Sequence, residues 1–398
     1  MEHSNKRLSI STQQMLLILA FAQAPLSSFV SGVLYHIPII SSFSSYVYPA
    51  ILIMLVGLNA KAIVKRIRAS DFIWLLLLFL AILLSYLFNP NNQPYIVDAM
   101  PELFGQIIPF FVFGLFWDSD EKMFDYIYYT SCIAIIVNIF YFVFFTAARG
   151  DLNYSMSTAY AILPSTMVCT WYFIKEKRKQ AIICTVIGCA MLLFLGTRGP
   201  VVIQICYIVV LLWRQANLKK RILLLLIGAL LIYFVVFSDV YQSLLLQLSI
   251  FARSRGMSAR LFDILGRGEM FSYTSGRDQF YEIVRNMIRE RPFLGYGIYG
   301  ERPFLGDAAH RIWLEIWSHY GVIIGTFLML AMVYTIYKGI KSAPNDKMRQ
   351  FIMLWAIHLG IRGIFGSDYL SYYSALLFGL CINSIRDYKP FKQYIKIL

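Results

Sequence analysis

The sequence predicts an all-α polytopic membrane protein, and three observations carry that prediction. The chain of 398 residues is 59% hydrophobic and only 15% charged, with a mean hydropathy of +0.62; a soluble domain is nearer half apolar and a quarter charged. Apolar runs of the roughly 17–25 residues needed to cross a bilayer core recur along it. Between them lie short intervals that hold most of the basic residues, as the loops of membrane proteins do. The net charge of +14 therefore does not point to nucleic acid, since no basic run is attached to a soluble domain. All six cysteines (Cys132, Cys169, Cys184, Cys189, Cys206, Cys381) fall inside apolar segments, without metal-binding spacing, and read as small core hydrophobes. The apolar run after Lys6-Arg7 reads as a retained first span rather than a cleaved signal.

Taken in order, twelve spans are expected, at 13–34, 43–59, 71–88, 102–117, 124–146, 157–174, 180–195, 200–213, 222–246, 313–337, 350–366 and 369–385. They divide the chain into residues 1–246, with nine helices, a large extracytoplasmic loop at 247–312 carrying short helices, and residues 313–398, with three helices and a cytoplasmic tail. With both termini in the cytoplasm, all fifteen lysines lie inside, together with Arg7, Arg66, Arg68, Arg178, Arg214, Arg221, Arg349 and Arg386. The outer loops then contain no lysine, yet thirteen of the twenty-one arginines: Arg149, Arg198, ten between Arg253 and Arg311, and Arg362. The positive-inside rule disfavours arginine there as much as lysine. What distinguishes arginine is its planar fork of donors, which grips phosphate or carboxylate with two parallel hydrogen bonds. Individual arginines can snorkel, or pair with Asp263, Glu269, Asp278, Glu282, Glu290 or Glu301; as a set they describe a face built to hold an anion.

Three residues stand out. Arg198 lies in Gly196-Thr197-Arg198-Gly199-Pro200, a connection too tight to be a loop, so its charge sits at or below the membrane surface, where ionisable groups are costly and usually functional. Arg277 opens a helix expected to be capped by Ser275 and Asp278 and closed by Pro292. Phe280, Ile283, Val284, Met287 and Ile288 recur there at helical spacing; Arg277 projects within that apolar face, while Arg285 and Arg289 project outside it. His310 is expected in the first turn of the tenth span, with Asp307 as its N-cap. The positive helix end would then favour a neutral imidazole able to accept a hydroxyl proton. Glu315 and His319, four residues apart on the opposite face, are expected to pair.

Ser275-Gly276-Arg277, then Pro292-Phe293-Leu294-Gly295-Tyr296-Gly297, then Ala309-His310 with Leu314-Glu315 and Gly321–Gly325 together resemble the O-antigen ligase and polymerase family of bacterial membrane glycosyltransferases. Thr197-Arg198-Gly199 is similar to that family's earlier arginine turn. The resemblance runs from the seventh span to the eleventh. It departs at Arg311, where many members have asparagine.

The resemblance implies an enzyme of the bacterial cytoplasmic (inner) membrane that takes a glycan from undecaprenyl pyrophosphate and transfers it to a sugar hydroxyl, without nucleotide sugar, metal or other cofactor. His310, Arg277 and Arg198 are the expected catalytic residues; Arg285, Arg289, Arg302, Arg311, Tyr296 and Trp313 are expected to bind substrate. Trp313 suits either sugar stacking or interfacial anchoring. The partners implied are the lipid-linked oligosaccharide, membrane lipids and other polysaccharide assembly proteins, with no nucleic acid. The departure at Arg311 favours a polymerase of O-antigen, capsule or exopolysaccharide, whose acceptor is a second lipid-linked repeat unit. The alternative is a ligase acting on lipid A–core. A transporter or flippase would also have many spans, but should show two similar halves, and the polar loop sits late and off-centre.

Overall fold

The computed structural model describes residues 44–58, 60, 63, 68–117, 120–141, 156–237, 239–267, 277–366 and 369–387. The expected first span and the cytoplasmic position of both termini lie outside these residues. Within them the structure is helical, the arrangement that satisfies every backbone N–H and C=O inside one segment where water is absent. The helices are α1 (Ser44–Leu58), α2 (Ala69–Phe88), α3 (Gln93–Glu102), α4 (Ile108–Leu115), α5 (Glu121–Tyr141), α6 (Met156–Ile174), α7 (Ala181–Phe194), α8 (Arg198–Gln215), α9 (Leu218–Phe237), α10 (Asp239–Ser254), α11 (Arg260–Gly266), α12 (Asp278–Glu290), the single turn α13 (Arg302–Leu305), α14 (Ile312–Ser342), α15 (Asp346–Phe365) and α16 (Tyr372–Asp387).

Three helical stretches among the described residues are long and apolar enough to cross a membrane: Pro90–Leu115, Glu121–Phe140 and Ile312–Ser342. Each shorter expected span within the described residues coincides with a helix, two of them in altered form. The fourth, expected at 102–117, is the second half of a continuous helical run, because the π-helical turn Leu103–Ile107 joins α3 to α4. The ninth, expected at 222–246, is divided between α9 and α10.

The core is centred on α6, which is buried from Ala159 through Tyr172. Around it pack α5, α7, α8 and α15. On the far side α4 crosses α16 with almost no side chain between the backbones: a Cβ on Gly114 would lie 2.5 Å from the Leu376 carbonyl, and one on Gly379 2.4 Å from that of Phe111. Small residues at a crossing let dispersion forces act over whole helix faces, the main attraction available in lipid. The outward positions of α2, α9 and α14 are the mirror image: Leu76, Leu80, Leu87, Leu226, Leu230, Phe327 and Val333 are exposed, an apolar exterior suited to lipid.

Charge pairs gather at one end of the bundle. Lys175 meets Asp346 at 2.9 Å and Arg178 meets Asp125 at 2.8 Å, with Lys347 3.9 Å from the same aspartate. From Asp346 the twenty residues of α15 carry the chain about 30 Å to Phe365, where the candidate site begins.

Candidate active site

The end of α15 collects two of the arginines singled out in the sequence. Arg277 Nη1 donates to the Phe365 carbonyl at 2.9 Å, and the Arg198 guanidinium lies 6.0 Å from the centre of the Phe365 ring. Arg198 heads α8, whose N-cap is Thr197. Arg277 is itself the N-cap of α12; Ser275, the expected capping residue, lies outside the described residues. The amphipathic reading of α12 holds in outline. Tyr281, Val284 and Met287 are buried, and Arg285 and Arg289 are exposed. Ile283, assigned to the apolar face, is exposed, and Tyr281 takes that place. Arg285 and Arg289 line a hollow of about 320 Å³ with Asp278, Glu282 and Asn286 on the outer side of α12; they do not converge on Phe365.

His310 is reached differently from the way the sequence suggests. It precedes α14 instead of opening it, the N-cap being Arg311, and its φ of 56° is left-handed. Outside glycine that conformation costs about 1–2 kcal/mol, and such outliers collect at functional sites. Asp307 is not the helix cap either. Its Oδ1 accepts from the Ala308 N–H at 2.7 Å, and its Oδ2 lies 3.3 Å from His310 Nε2. The imidazole stacks over Phe280, ring centres 6.5 Å apart. Burial first, and then the Arg277 guanidinium, hold its pKa below the ordinary histidine value, while Asp307 pulls in the opposite direction. The neutral form is thus favoured by desolvation and a neighbouring cation, with no need for a helix dipole.

The remaining expected binding residues surround this point without forming one cluster. Arg302 lies 3.5 Å from both Glu301 and Asp307 and so borders the His310 pair. The guanidinium of Arg311 lies 3.9 Å above the Tyr281 ring and 5.6 Å from Trp313. Trp313 packs against the small core of Tyr281, Val284, Ala309 and Leu314. Tyr296 donates to Glu290 at 2.6 Å and carries Arg291 4.4 Å above its ring.

What anchors these residues is a break in α14. Gly321 has φ 75° and ψ 169°, so residues Ile312–Ser342 form two helices meeting at a kink. A kink leaves backbone groups unsatisfied, and the Pro292–Gly297 segment takes them up. Pro292 C=O accepts from Val322 N–H at 2.6 Å, Tyr296 N–H donates to Ser318 C=O at 2.7 Å, and Gly297 N–H donates to His319 C=O at 2.9 Å. The same strap is tied to α3 by Asn92, whose side-chain amide donates to the carbonyls of Tyr296 and Ile298 at 2.8 and 3.1 Å.

The order of these parts along the chain — arginine turn, arginine-headed amphipathic helix, glycine-rich strap, histidine, kinked helix — is matched by a family model described as O-antigen ligase, over residues 183–330. That match supports the resemblance to the O-antigen ligase and polymerase family. The matched residues include Arg198, Arg277, His310 and the Gly321 kink, while Phe365 lies beyond them. No curated protein and no solved structure matches the chain. The match and the apolar helices support an integral membrane protein of polysaccharide biosynthesis, and members of the matched family are glycosyltransferase-like enzymes.

Several residues of the site were not visible to sequence reasoning. His319, expected to pair with Glu315, instead hydrogen-bonds Glu301 through Nε2 and the Tyr369 hydroxyl through Nδ1. The kink turns this face of α14 toward the strap, and Glu301 arrives there from outside the helix. Two groups of metal-capable side chains also form where no spacing announced them, Cys132 with Cys169 and Cys184, and Glu301 with Glu315 and His319.

Proposed function

We propose that the protein is a polysaccharide polymerase at the outer face of the bacterial cytoplasmic membrane. It transfers a glycan from undecaprenyl pyrophosphate to a sugar hydroxyl of a second lipid-linked repeat unit. The observation that carries this reading is that Arg277 and Arg198 meet at the Phe365 end of α15, while burial and then the Arg277 charge hold the pKa of His310 below its ordinary value. In this reading His310 accepts the proton of the attacking hydroxyl, help worth about 10²–10⁴-fold. Arg277 and Arg198 hold the pyrophosphate and stabilise it as charge builds on the departing oxygen, the work a cation does in other phosphate enzymes. Arg302 steadies Asp307, and through it the orientation of His310. Arg285 and Arg289, on the outer face of α12, meet headgroups or the growing glycan.

The prenyl chain has a place to lie. A groove of about 410 Å³ is lined by Trp74, Leu78, Phe111, Ile324, Leu328 and Phe378, with Tyr320 and Tyr369 also on its wall. It follows α16 from Ser374 to Ile382, about 12 Å. Tyr369 connects it to the kinked helix α14 through its hydrogen bond to His319. Residues 247–312 form the outer loop of this scheme.

The description of the matched family favours a second reading, a ligase whose acceptor is lipid A–core. The acceptor decides between them. Purified protein given a lipid-pyrophosphate donor should produce a ladder of longer lipid-linked glycans from repeat units alone. A single transfer to lipid A–core, with no ladder, would reject the polymerase and establish the ligase.

A further inference from the structure

The kinked helix and the segment that follows the strap carry a second constellation. Glu301, Glu315 and His319 are 0%, 4% and 1% exposed, and one carboxylate oxygen from each glutamate and one imidazole nitrogen all lie within 4.8 Å of one another. Glu315 and His319 stand one turn apart on α14, the i, i+4 spacing by which a helix offers two ligands to one ion. Glu301 comes from the segment that follows the strap, two residues after Tyr299, whose φ of 60° is left-handed.

Glu301 has two cationic neighbours, His319 and Arg302, and keeps one carboxylate oxygen without a hydrogen bond. Two carboxylates buried so close together cannot both ionise without a compensating cation. His319 Nε2 serves Glu301 Oε2. Glu301 Oε1 accepts no hydrogen bond; Arg302 Nε stands 3.5 Å away and does not donate to it. On its other side the imidazole is fixed by the Tyr369 hydroxyl at Nδ1, the way a metal-bound histidine is oriented by a partner on its free nitrogen.

We propose that Glu301, Glu315 and His319 bind a divalent cation, Zn²⁺ or Mn²⁺, that fastens the segment following the strap to the kinked helix. Two carboxylate oxygens with one imidazole nitrogen suit a cation of this class better than Cu(I), which prefers sulfur, or Mg²⁺ and Ca²⁺, which prefer all-oxygen shells. An ion between His319 and Glu301 takes the place of their shared proton. Its effect on the chemistry is positional. Arg302 lies 3.5 Å from Glu301 and 3.5 Å from Asp307, and Asp307 orients His310, so fixing Glu301 fixes the base. The ion does not touch the pyrophosphate, and the charge of the leaving group stays with Arg198 and Arg277.

The test uses the full chain in detergent, purified without a polyhistidine tag. After chelation, loading with ZnCl₂ and desalting, it should retain close to one Zn²⁺ per chain by elemental analysis. Co²⁺ in its place should give visible d–d absorption, a readout on the wild-type chain that requires no variant to fold. Chelation should lower the melting temperature and Zn²⁺ should restore it. Glu315→Gln and Tyr369→Phe should each weaken Zn²⁺ binding by about tenfold or more. Wild-type protein that retains no Zn²⁺ and melts identically with and without chelator would overturn the proposal, leaving Glu301 and His319 joined by their hydrogen bond alone. Zn²⁺ retention unchanged by Glu315→Gln would overturn it equally, because the ion would then lie elsewhere. None of these readouts depends on glycan transfer, so they stand or fall apart from the proposed activity.

Discussion

At the scale of single residues, the candidate base is set by burial and by charged neighbours acting on one ring. Burial and Arg277 favour neutral His310, and Asp307 favours the imidazolium. The sign of the pH response follows. A depressed pKa keeps the base unprotonated at pH 7, and activity should fall only below the ordinary imidazole value of about 6.5. Arg277→Gln removes a group that lowers the pKa, so the acid limb of kcat/KM should move to higher pH. Arg277→Lys retains the charge and should leave the limb in place, yet turnover should drop by about 10²-fold or more, because the forked donor is lost. A pH–rate profile of the three proteins separates charge from geometry; a lysine variant with wild-type turnover would show that the fork is not needed. Arg198 and Arg277 were legible in the sequence because charge is rare at that depth and because the helical period aims Arg277 inward. Phe365 and Glu301 were not. Their contacts with Arg277 and His319 span 88 and 18 residues, and no local period reports such distances. The left-handed backbone at His310 was equally hidden, since Ala309-His310-Arg311 has no turn residue to mark it.

At the scale of elements, the kinked helix and its strap form one device. The sequence reads 313–337 as a straight span, because Gly321 and Gly325 in an apolar run lower helix propensity without specifying a break. The break is specified from outside. A Cβ on Gly321 would stand 2.3 Å from the Phe293 carbonyl group, and its φ and ψ belong to a region nearly exclusive to glycine. Gly321→Ala should therefore combine backbone strain with a clash against the strap, at a cost of about 3 kcal/mol or more, measured as a marked fall in melting temperature. Gly306→Ala is the matching control. Gly306 is also left-handed, at φ 69°, but its Cβ would meet nothing within 4 Å, so the cost should be only about 1–2 kcal/mol. Equal losses at the two positions would mean that the strap yields and does not hold the kink. The Pro292–Gly297 motif, which the sequence offered only as a family resemblance, acquires a physical reason here. Its backbone supplies partners for the helix groups that the kink sets free, and Gly295 admits the close approach of His319, whose carbonyl would stand 2.6 Å from a Cβ.

At the scale of the whole molecule, the two ends of the bundle differ in chemistry. One end holds lysine-containing ion pairs, Lys175 with Asp346 and Lys347 near Asp125. The other holds Arg198 and Arg277 against Phe365, with His310 beside them. The length of α15, about 30 Å, separates the two. The proposed sidedness assigns the lysine end to the cytoplasm and the arginine site to the outer face. The helices were legible individually because apolar runs bounded by charge define them. The joining of α3 to α4 through a π-helical turn and the division of the ninth span were not, since both depend on neighbouring helices. Sidedness can be measured directly. Asn286 is exposed on the outer face of α12 and Lys219 is exposed at the start of α9, so a cysteine at each reports the opposite ends of the scheme. None of the native cysteines is exposed, three being buried and three half-buried, so the unaltered protein gives the labelling background. In intact cells or spheroplasts an impermeant maleimide should label Asn286→Cys, whereas Lys219→Cys should label only after the membrane is opened. Labelling in the reverse order would place the arginine site in the cytoplasm, where no exported glycan could reach it, and the proposed transfer would fail with the topology.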